Sequence, residues 1–283
     1  MRPQSAEWKA PRGDPALPAD PVIEVKDVVK NYPGMTGAAL LALDRANLQV
    51  HRGDLIGIVG PSGCGKSTLL NLIAGLDQFS SGEIIVEGRH VTGVRTIGYV
   101  FQRETLLPWR NARRNAEFVL EIKGKGPEER WRIAEPWLAK LGLGGFENYY
   151  PHQLSGGMRK RLQLASILAA EPSILLMDEP FGALDAQTRT VIEDDFLRLW
   201  RESGMTVLFV THDLAEAIAM CTRVVIMTAR PGRIKAEYEI GLPRHMTTTE
   251  RRLEPQFQNL FGRIWSDLRD EVGSSLHNIA GKT

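Results

Sequence analysis

Short apolar runs without polar alternation mark the centre of this chain. Leu55 to Val59, Ile174 to Met177 and Val207 to Val210 each end at glycine or polar residues. Such runs predict strands of a parallel sheet covered on both faces. Further strands are expected at Val22 to Val25, at Asn47 to Val50 before a turn at Gly53, at Ile84 to Val86 within Gly82 to Gly88, and from Ile97 to Phe101, ending at Gln102. Tyr32 falls in the loop between the first two. Val224 to Met227 and Ile234 to Ile240, joined across Pro231 and Gly232, predict a closing pair. From Asn111 to about Ala170 the periodicity is helical, with Trp131, Ile133, Trp137, Leu138 and Leu141 spaced for buried faces. Pro136 inside that stretch predicts a kink or a break. Past residue 240, Phe257, Leu260, Phe261, Ile264, Trp265 and Leu268 predict one amphipathic helix whose aromatics serve packing.

Chemistry enters at the first junction of strand and helix. Gly60, Pro61, Ser62, Gly63, Cys64, Gly65, Lys66, Ser67 and Thr68 follow the strand Leu55 to Val59 and precede the apolar helix start Leu69 to Ile73. The pattern G-x-x-x-x-G-K-[ST] in that setting predicts a loop that wraps a polyphosphate. Its glycines permit close backbone approach, so successive amides point at phosphate oxygens, and the helix N-terminus adds its positive end. Lys66 is expected at the β- and γ-phosphates, the Ser67 hydroxyl on Mg²⁺, and Thr68 on the phosphates from the same turn. Cys64 has two readings: a thiol with lowered pKa at a helix N-terminus, or a small residue filling a loop position.

Composition narrows the class. At 283 residues and 43% hydrophobic content the chain can bury a substantial core, and a formal net charge of +1 gives no support to a nucleic-acid role. Two cysteines, Cys64 and Cys221, make no disulfide framework and fit a reducing compartment. No apolar stretch reaches the roughly twenty residues of a transmembrane helix. Residues 1 to 20 are rich in proline and charge, without the apolar core of a signal peptide, and are expected to form a flexible tail.

Two later segments extend the phosphate chemistry. The strand Ile174 to Met177 runs into Asp178 and Glu179, whose side chains alternate in direction along a strand. Asp178 is therefore expected to hold Mg²⁺ and Glu179 to polarise the attacking water. His212 follows the strand Val207 to Val210 by two residues. Parallel strands gather their C-terminal ends around one crevice, which brings His212 within reach of a γ-phosphate held by Lys66. Leu154, Ser155, Gly156, Gly157 and Met158 open another helix, offering a hydroxyl, bare amides and a helix dipole to a second anion. One nucleotide does not need two such sites in one chain, so a partner's ATP is the natural occupant.

The order of these motifs resembles the ATP-binding cassette ATPases, the engines of ABC transporters, over nearly all of residues 22 to 240. Gly60 to Thr68 is similar to the Walker A loop, Gln102 to the Q-loop glutamine, Leu154 to Met158 to the signature, Ile174 to Glu179 to the Walker B strand, Leu184 and Asp185 to the D-loop, and His212 to the switch histidine. Tyr32 resembles the aromatic that stacks on adenine. Met158 departs from the more frequent glutamine, and Gly182 and Ala183 stand where serine and alanine are common. The resemblance implies an α/β fold: a P-loop core with a mixed, mainly parallel sheet, an antiparallel β subdomain and a helical signature subdomain at about 111–171. The cassette would span 21–242, with a C-terminal helical extension over 243–283. It also implies that two cassettes, identical or not, sandwich two ATP with Mg²⁺ between Lys66 of one chain and Ser155 of the other. Glu179, His212 and Gln102 would then act in hydrolysis, and Gln102 would link the metal to the membrane-facing groove.

A narrower resemblance, to the nitrate, sulfonate and taurine importer ATPases, rests on Val100 to Arg110, Pro180 to Asp185, the turn Arg230 to Arg233 and the aromatic C-terminal helix. It implies import of a small solute of the nitrate, sulfonate, taurine or bicarbonate type. The chain would sit peripherally at the cytoplasmic face of the inner membrane, with integral permease subunits and, indirectly, a solute-binding protein. Leu106, Leu107, Pro108 and Trp109 are candidates either for permease contact or for burial between subdomains. The alternative is a soluble cassette acting on DNA or ribosomes, but those usually resemble tandem cassettes or ones split by long coiled coils, and this chain has neither. A P-loop kinase or GTPase would leave the Leu154 to Met158 segment and His212 unexplained, and no guanine-reading Asn-Lys-x-Asp run is present.

Overall fold

The computed structural model describes residues 20–34, 39–91, 97–182 and 184–280. All of the expected tail except Asp20 lies outside these residues, as does Ala183. The three continuous apolar runs are central strands: β3 (Leu55–Val59), β7 (Ile174–Asp178) and β8 (Thr206–Thr211) are buried at every position. Successive side chains alternate faces. Ile56, Ile58, Leu176, Leu208 and Val210 therefore enter one core, and Leu55, Val59, Leu175, Met177, Val207 and Phe209 enter the other. Each large side chain so buried contributes about 1.5–3 kcal/mol, which is why polar alternation is missing.

Among the described residues these strands belong to a six-stranded sheet of order β10-β9-β3-β8-β7-β6, with β6 at Ile97–Val100, β9 at Arg223–Met227 and β10 at Ile234–Glu239. Five strands are parallel and β10 pairs antiparallel at the edge. Their C-terminal ends share one side, so Gly60, Gln102, Asp178, Glu179, His212 and Thr228 leave the sheet together. A second, antiparallel sheet, β2-β1-β4-β5, is formed by β1 (Ile23–Tyr32), β2 (Leu40–Val50), β4 (Ser81–Val86) and β5 (Arg89–His90). It shares a core with the helix α1 (Lys66–Ile73) and one face of the central sheet.

The other face carries the helices. They are α2 (Ala112–Ala116), α3 (Phe118–Ile122), α4 (Pro127–Lys140), α5 (Gly156–Leu168), α6 (Ala186–Ser203), α7 (Leu214–Met220), α8 (Thr248–Leu253) and α9 (Pro255–Ala280). The fold is thus α/β, with a mixed and mainly parallel sheet, an antiparallel sheet and a helical layer.

Several expectations need correction. Tyr32 is the last residue of β1 and not part of a loop. The strand continues past Lys26 and Asp27 through a register shift, with Asp27 at φ 46°, and those polar residues hide its second half from a hydropathy pattern. The helical stretch from Asn111 is four helices and a short 3₁₀ turn at Pro151–Gln153, and α4 runs unbroken through Pro136. Among the described residues two helices, not one, follow residue 240. Thr247 and Glu250 form a capping box that starts α8, and Pro255 opens α9. Arg251, 2% exposed, fastens α8 by donating to the carbonyls of Ala219, Met220 and Pro243. Burial lowers its pKa to about 10.

Candidate functional site

The loop between β3 and α1 turns on two left-handed glycines, Gly63 at φ 73° and Gly65 at φ 110°. At Gly65 a Cβ would lie 2.8 Å from Leu43 Cδ2, so only glycine fits the turn. Lys66 opens α1 and is 6% exposed. Its ammonium donates to the carbonyls of Gly60 at 2.7 Å and Pro61 at 2.9 Å, two acceptors of its own loop. Ser62, Gly63, Gly65, Lys66, Ser67 and Thr68 line a groove of about 260 Å³. Its other walls are Tyr32, Leu40, Ala42, Glu179 and Arg230.

Tyr32 is fixed there by its neighbours. Its hydroxyl donates to Asp77 Oδ2 at 2.9 Å, and the Lys30 ammonium lies 4.5 Å from its ring centroid while donating to Asp77 Oδ1. Gly60, Pro61 and Cys64 do not line the groove. A Cβ at Gly60 would meet Met227 O at 2.9 Å, and Cys64 is buried, with burial pushing its thiol pKa up against the pull of Lys66. The loop-filling reading of Cys64 therefore holds, and the activated thiol does not.

Asp178 and Glu179 do separate, but by different means from strand alternation alone. Asp178 accepts from the Ser67 hydroxyl at 2.9 Å. Burial and the neighbouring Glu179 carboxylate push its pKa up, opposed by the Ser67 hydroxyl, Lys66 and Lys160. Glu179 lies past the strand at φ 45°, a left-handed torsion that costs about 1 kcal/mol or more and re-aims the side chain. Its carboxylate meets Gln102 Nε2 at 2.9 Å and His212 Nδ1 at 3.3 Å. These three residues and Gly182 line a second groove of about 210 Å³. Gln102 thus joins Glu179, and among the described residues no contact ties it to Ser67 or Asp178.

Ser155, Gly156, Gly157 and Asp185 line neither groove. Ser155 caps α5, accepting from the Met158 amide at 3.2 Å, and Asp185 caps α6, accepting from the Thr188 amide at 3.0 Å. The helix-start amides around Thr188 hold the Asp185 carboxyl below its ordinary range. Gly157 marks close approach of those helices, since a Cβ there would lie 2.7 Å from Thr188 Cγ2. Met158 packs on the core. Leu106 and Leu107 are half-buried, whereas Pro108 is exposed and Trp109 is 71% exposed.

Arg230, like Leu40 and Ala42, lines the groove without belonging to the phosphate-site motifs. Its Nε and Nη2 donate to the Gly63 carbonyl at 3.2 and 3.1 Å. The signal for it is topological: β9 runs parallel beside β3, pairing Ile226 with Val59, so the residues after Met227 emerge next to the phosphate loop.

Among the described residues no group of three His, Cys, Asp or Glu could hold a metal. The arrangement suits a cation held by one hydroxyl and one carboxylate, Ser67 and Asp178, and completed by phosphate oxygens. The 2.9 Å bond between the Ser67 hydroxyl and the Asp178 carboxylate sets these two oxygens side by side, as such a site requires.

Comparison with known proteins agrees with this geometry. Residues 43–182 match the family model described as ABC transporter. An uncharacterized ABC transporter ATP-binding protein of Methanocaldococcus jannaschii is 44% identical over 257 residues, covering 90% of this chain and 94% of that protein. The nitrate import ATP-binding protein NrtD of Synechocystis is 41% identical over 264 residues, covering 91% and 99%. The solved dimeric structure of a post-hydrolysis state of the ATP-binding cassette MJ0796, bound to ADP and Pi, aligns with a TM-score of 0.69 at 34% identity, over 77% of this chain and 98% of that one. With its phosphate loop, its paired carboxylates and these relatives, the chain belongs to the ABC transporter family, as an ATP-binding cassette.

Proposed function

We propose that this chain is the ATP-hydrolysing subunit of an importer for a small anion of the nitrate, sulfonate, taurine or bicarbonate type. The observation that carries hydrolysis is the position of Glu179, held between Gln102 and His212 at the wall of the groove lined by Lys66 and Ser67. Lys66 gives up its loop carbonyls for phosphate oxygens, and the loop amides bind the rest of the chain of phosphates. Mg²⁺ bound at Ser67 and Asp178 would neutralise charge on the phosphates. Glu179 takes the proton of the attacking water, and His212 steadies the carboxylate and then the γ-phosphate.

Ser155 stands apart from the phosphate groove of its own chain, which supports a head-to-tail pair in which Ser155 and the amides of Gly156 and Gly157 close over the partner's nucleotide. The cassette in the solved relative is dimeric. Asp185 caps α6 beside that junction. Among the described residues no helix is long and apolar enough to cross a membrane. Transport would therefore require integral permease subunits, with the chain seated peripherally on the cytoplasmic side and Pro108 and Trp109 exposed for contact. The anion class rests on similarity to a protein named for nitrate import and on the Val100 to Arg110 segment.

The test is ATP hydrolysis by the native complex, purified through this subunit and reconstituted with its binding protein, across nitrate, taurine, alkanesulfonates, bicarbonate and neutral heterocycles. Stimulation by one anion supports the reading. Absence of a co-purifying permease and of any stimulation overturns it.

A further inference from the structure

The turn between β9 and β10 presses on the outside of the phosphate loop at three points. A Cβ on Gly232 would stand 2.1 Å from the Cys64 carbonyl oxygen, one on Gly60 would stand 2.9 Å from the Met227 carbonyl oxygen, and Arg230 grips the Gly63 carbonyl through two nitrogens. The same turn is tied down on its other side. The Gly232 amide donates to Ala42 O at 2.9 Å, the Asp44 amide donates to Gly232 O at 3.0 Å, and Arg233 pairs with Asp44.

Behind the turn stands α9. Glu271 accepts from the Ala229 amide at 2.9 Å, one residue before Arg230, and pairs with Lys235 of β10 at 2.8 Å. Lys235 also donates to the Asp267 carbonyl at 2.8 Å, and the Tyr238 hydroxyl bonds Asp267. A continuous set of polar contacts thus runs from the C-terminal helix through Ala229 and Arg230 to Gly63. The apolar face of α9, with Phe257, Leu260, Ile264 and Leu268 buried, fixes that helix on the central core. Packed elements of this kind can hold a loop in its binding geometry from a distance.

We propose that this turn braces the phosphate loop, with Arg230 and, behind it, Glu271 of α9 as positioning residues that set the affinity of the nucleotide site. The inference rests on the reading of Gly60 to Thr68 as that site. It gives the C-terminal helix and the Arg230 to Arg233 turn, which hydrolysis alone leaves idle, a part in binding.

The experiment is equilibrium binding of a fluorescent ATP analogue with Mg²⁺ to the full chain, with KM and kcat for ATP measured alongside. Arg230→Ala and Glu271→Ala are each expected to weaken binding about five- to tenfold, the scale of one ordinary hydrogen bond. KM should rise in proportion in both variants, and in Glu271→Ala, which lies outside the groove, kcat at saturating ATP should stay within about twofold, a split that general loss of fold does not produce. Arg230→Lys, which keeps the charge but not the two-nitrogen grip, should recover part of the loss. Glu271→Gln keeps an acceptor for the Ala229 amide and should restore most of it. Because Glu271 acts through the turn, the double alanine variant should bind no more weakly than Arg230→Ala alone.

Affinity unchanged in Arg230→Ala, with binding lost in Lys66→Ala, overturns the brace and leaves the phosphate loop assigned. Binding indifferent to Lys66→Ala overturns that assignment and the brace with it. Additive losses in the double variant overturn the route through Glu271. Arg230 is exposed, so its variants carry the test even if Glu271→Ala does not fold.

Discussion

Ser67 and Asp178 lie 111 residues apart in the chain and share a hydrogen bond of 2.9 Å. The bond joins the first turn of α1 to the end of β7. It exists because β3 and β7 are parallel, with β8 between them, and end on the same side of the sheet. Topology thus sets a hydroxyl and a carboxylate side by side, the pair proposed above to hold Mg²⁺.

Ser67→Ala removes the hydroxyl and leaves Asp178 a buried carboxylate without its donor. The concentration of Mg²⁺ giving half-maximal ATP hydrolysis is expected to rise about tenfold or more. A Mg²⁺ titration of hydrolysis checks this, with chelator removing all activity from the unmodified protein. An unchanged titration would take Ser67 out of the metal site.

Glu179→Gln preserves side-chain size but cannot take a proton from water. The variant should bind ATP with near-normal affinity yet hydrolyse it at least ~100-fold more slowly. Single-turnover hydrolysis of bound ATP separates the two quantities. Near-normal turnover would transfer the role of base to another group, and His212, 3.3 Å away, is the nearest candidate.

Hydropathy alone placed β3, β7 and β8 because strands buried on both faces leave no other pattern. It failed at β1, where polar Lys26 and Asp27 sit at a register shift, and so put Tyr32 in a loop although the strand delivers it to the groove wall. The motif positions brought Lys66, Ser67 and Asp178 together correctly as spatial neighbours. They could not reveal that Glu179 is aimed by a left-handed torsion, since φ leaves no trace in composition. Nor could they place Arg230 at the phosphate loop. The turn Arg230 to Arg233 carried a family likeness, but only the pairing of β9 with β3 puts its arginine on Gly63.

Glu216 gives stability a pH dependence unrelated to catalysis. It is 3% exposed, and burial, with Glu193 and Asp213 nearby, pushes its pKa up to about 7, against the Thr211 hydroxyl and Arg189. In the unfolded chain it returns to its ordinary value of 4.5. The folded state therefore holds a proton that the unfolded state has released. This contribution is complete below about pH 4.5 and is lost as pH rises to about 7. Urea unfolding between pH 5 and 8 should show Glu216→Gln gaining stability relative to the unmodified protein as pH rises, with the difference level above pH 7. A difference independent of pH would mean that Glu216 does not titrate in this window.

Gly232 offers a sharper test of steric fit than any torsional argument. Its missing Cβ would meet the Cys64 carbonyl oxygen at 2.1 Å, Met227 Cε at 2.9 Å and Leu43 Cδ2 at 3.1 Å. The methionine tip can move aside, but the carbonyl belongs to the phosphate loop and cannot retreat without distorting Gly63 and Gly65. Gly232→Ala is expected to destabilise the fold by about 1–3 kcal/mol, the usual cost of overpacking, and to weaken nucleotide binding as well. Gly144 is the control, with open space at its Cβ position and no left-handed torsion. Gly144→Ala should be neutral or stabilise by up to about 1 kcal/mol, because alanine narrows the unfolded ensemble. Thermal melts with and without ATP read both effects. If the two variants melted alike and responded alike to ATP, the turn at Gly232 would not be in tight contact with the loop.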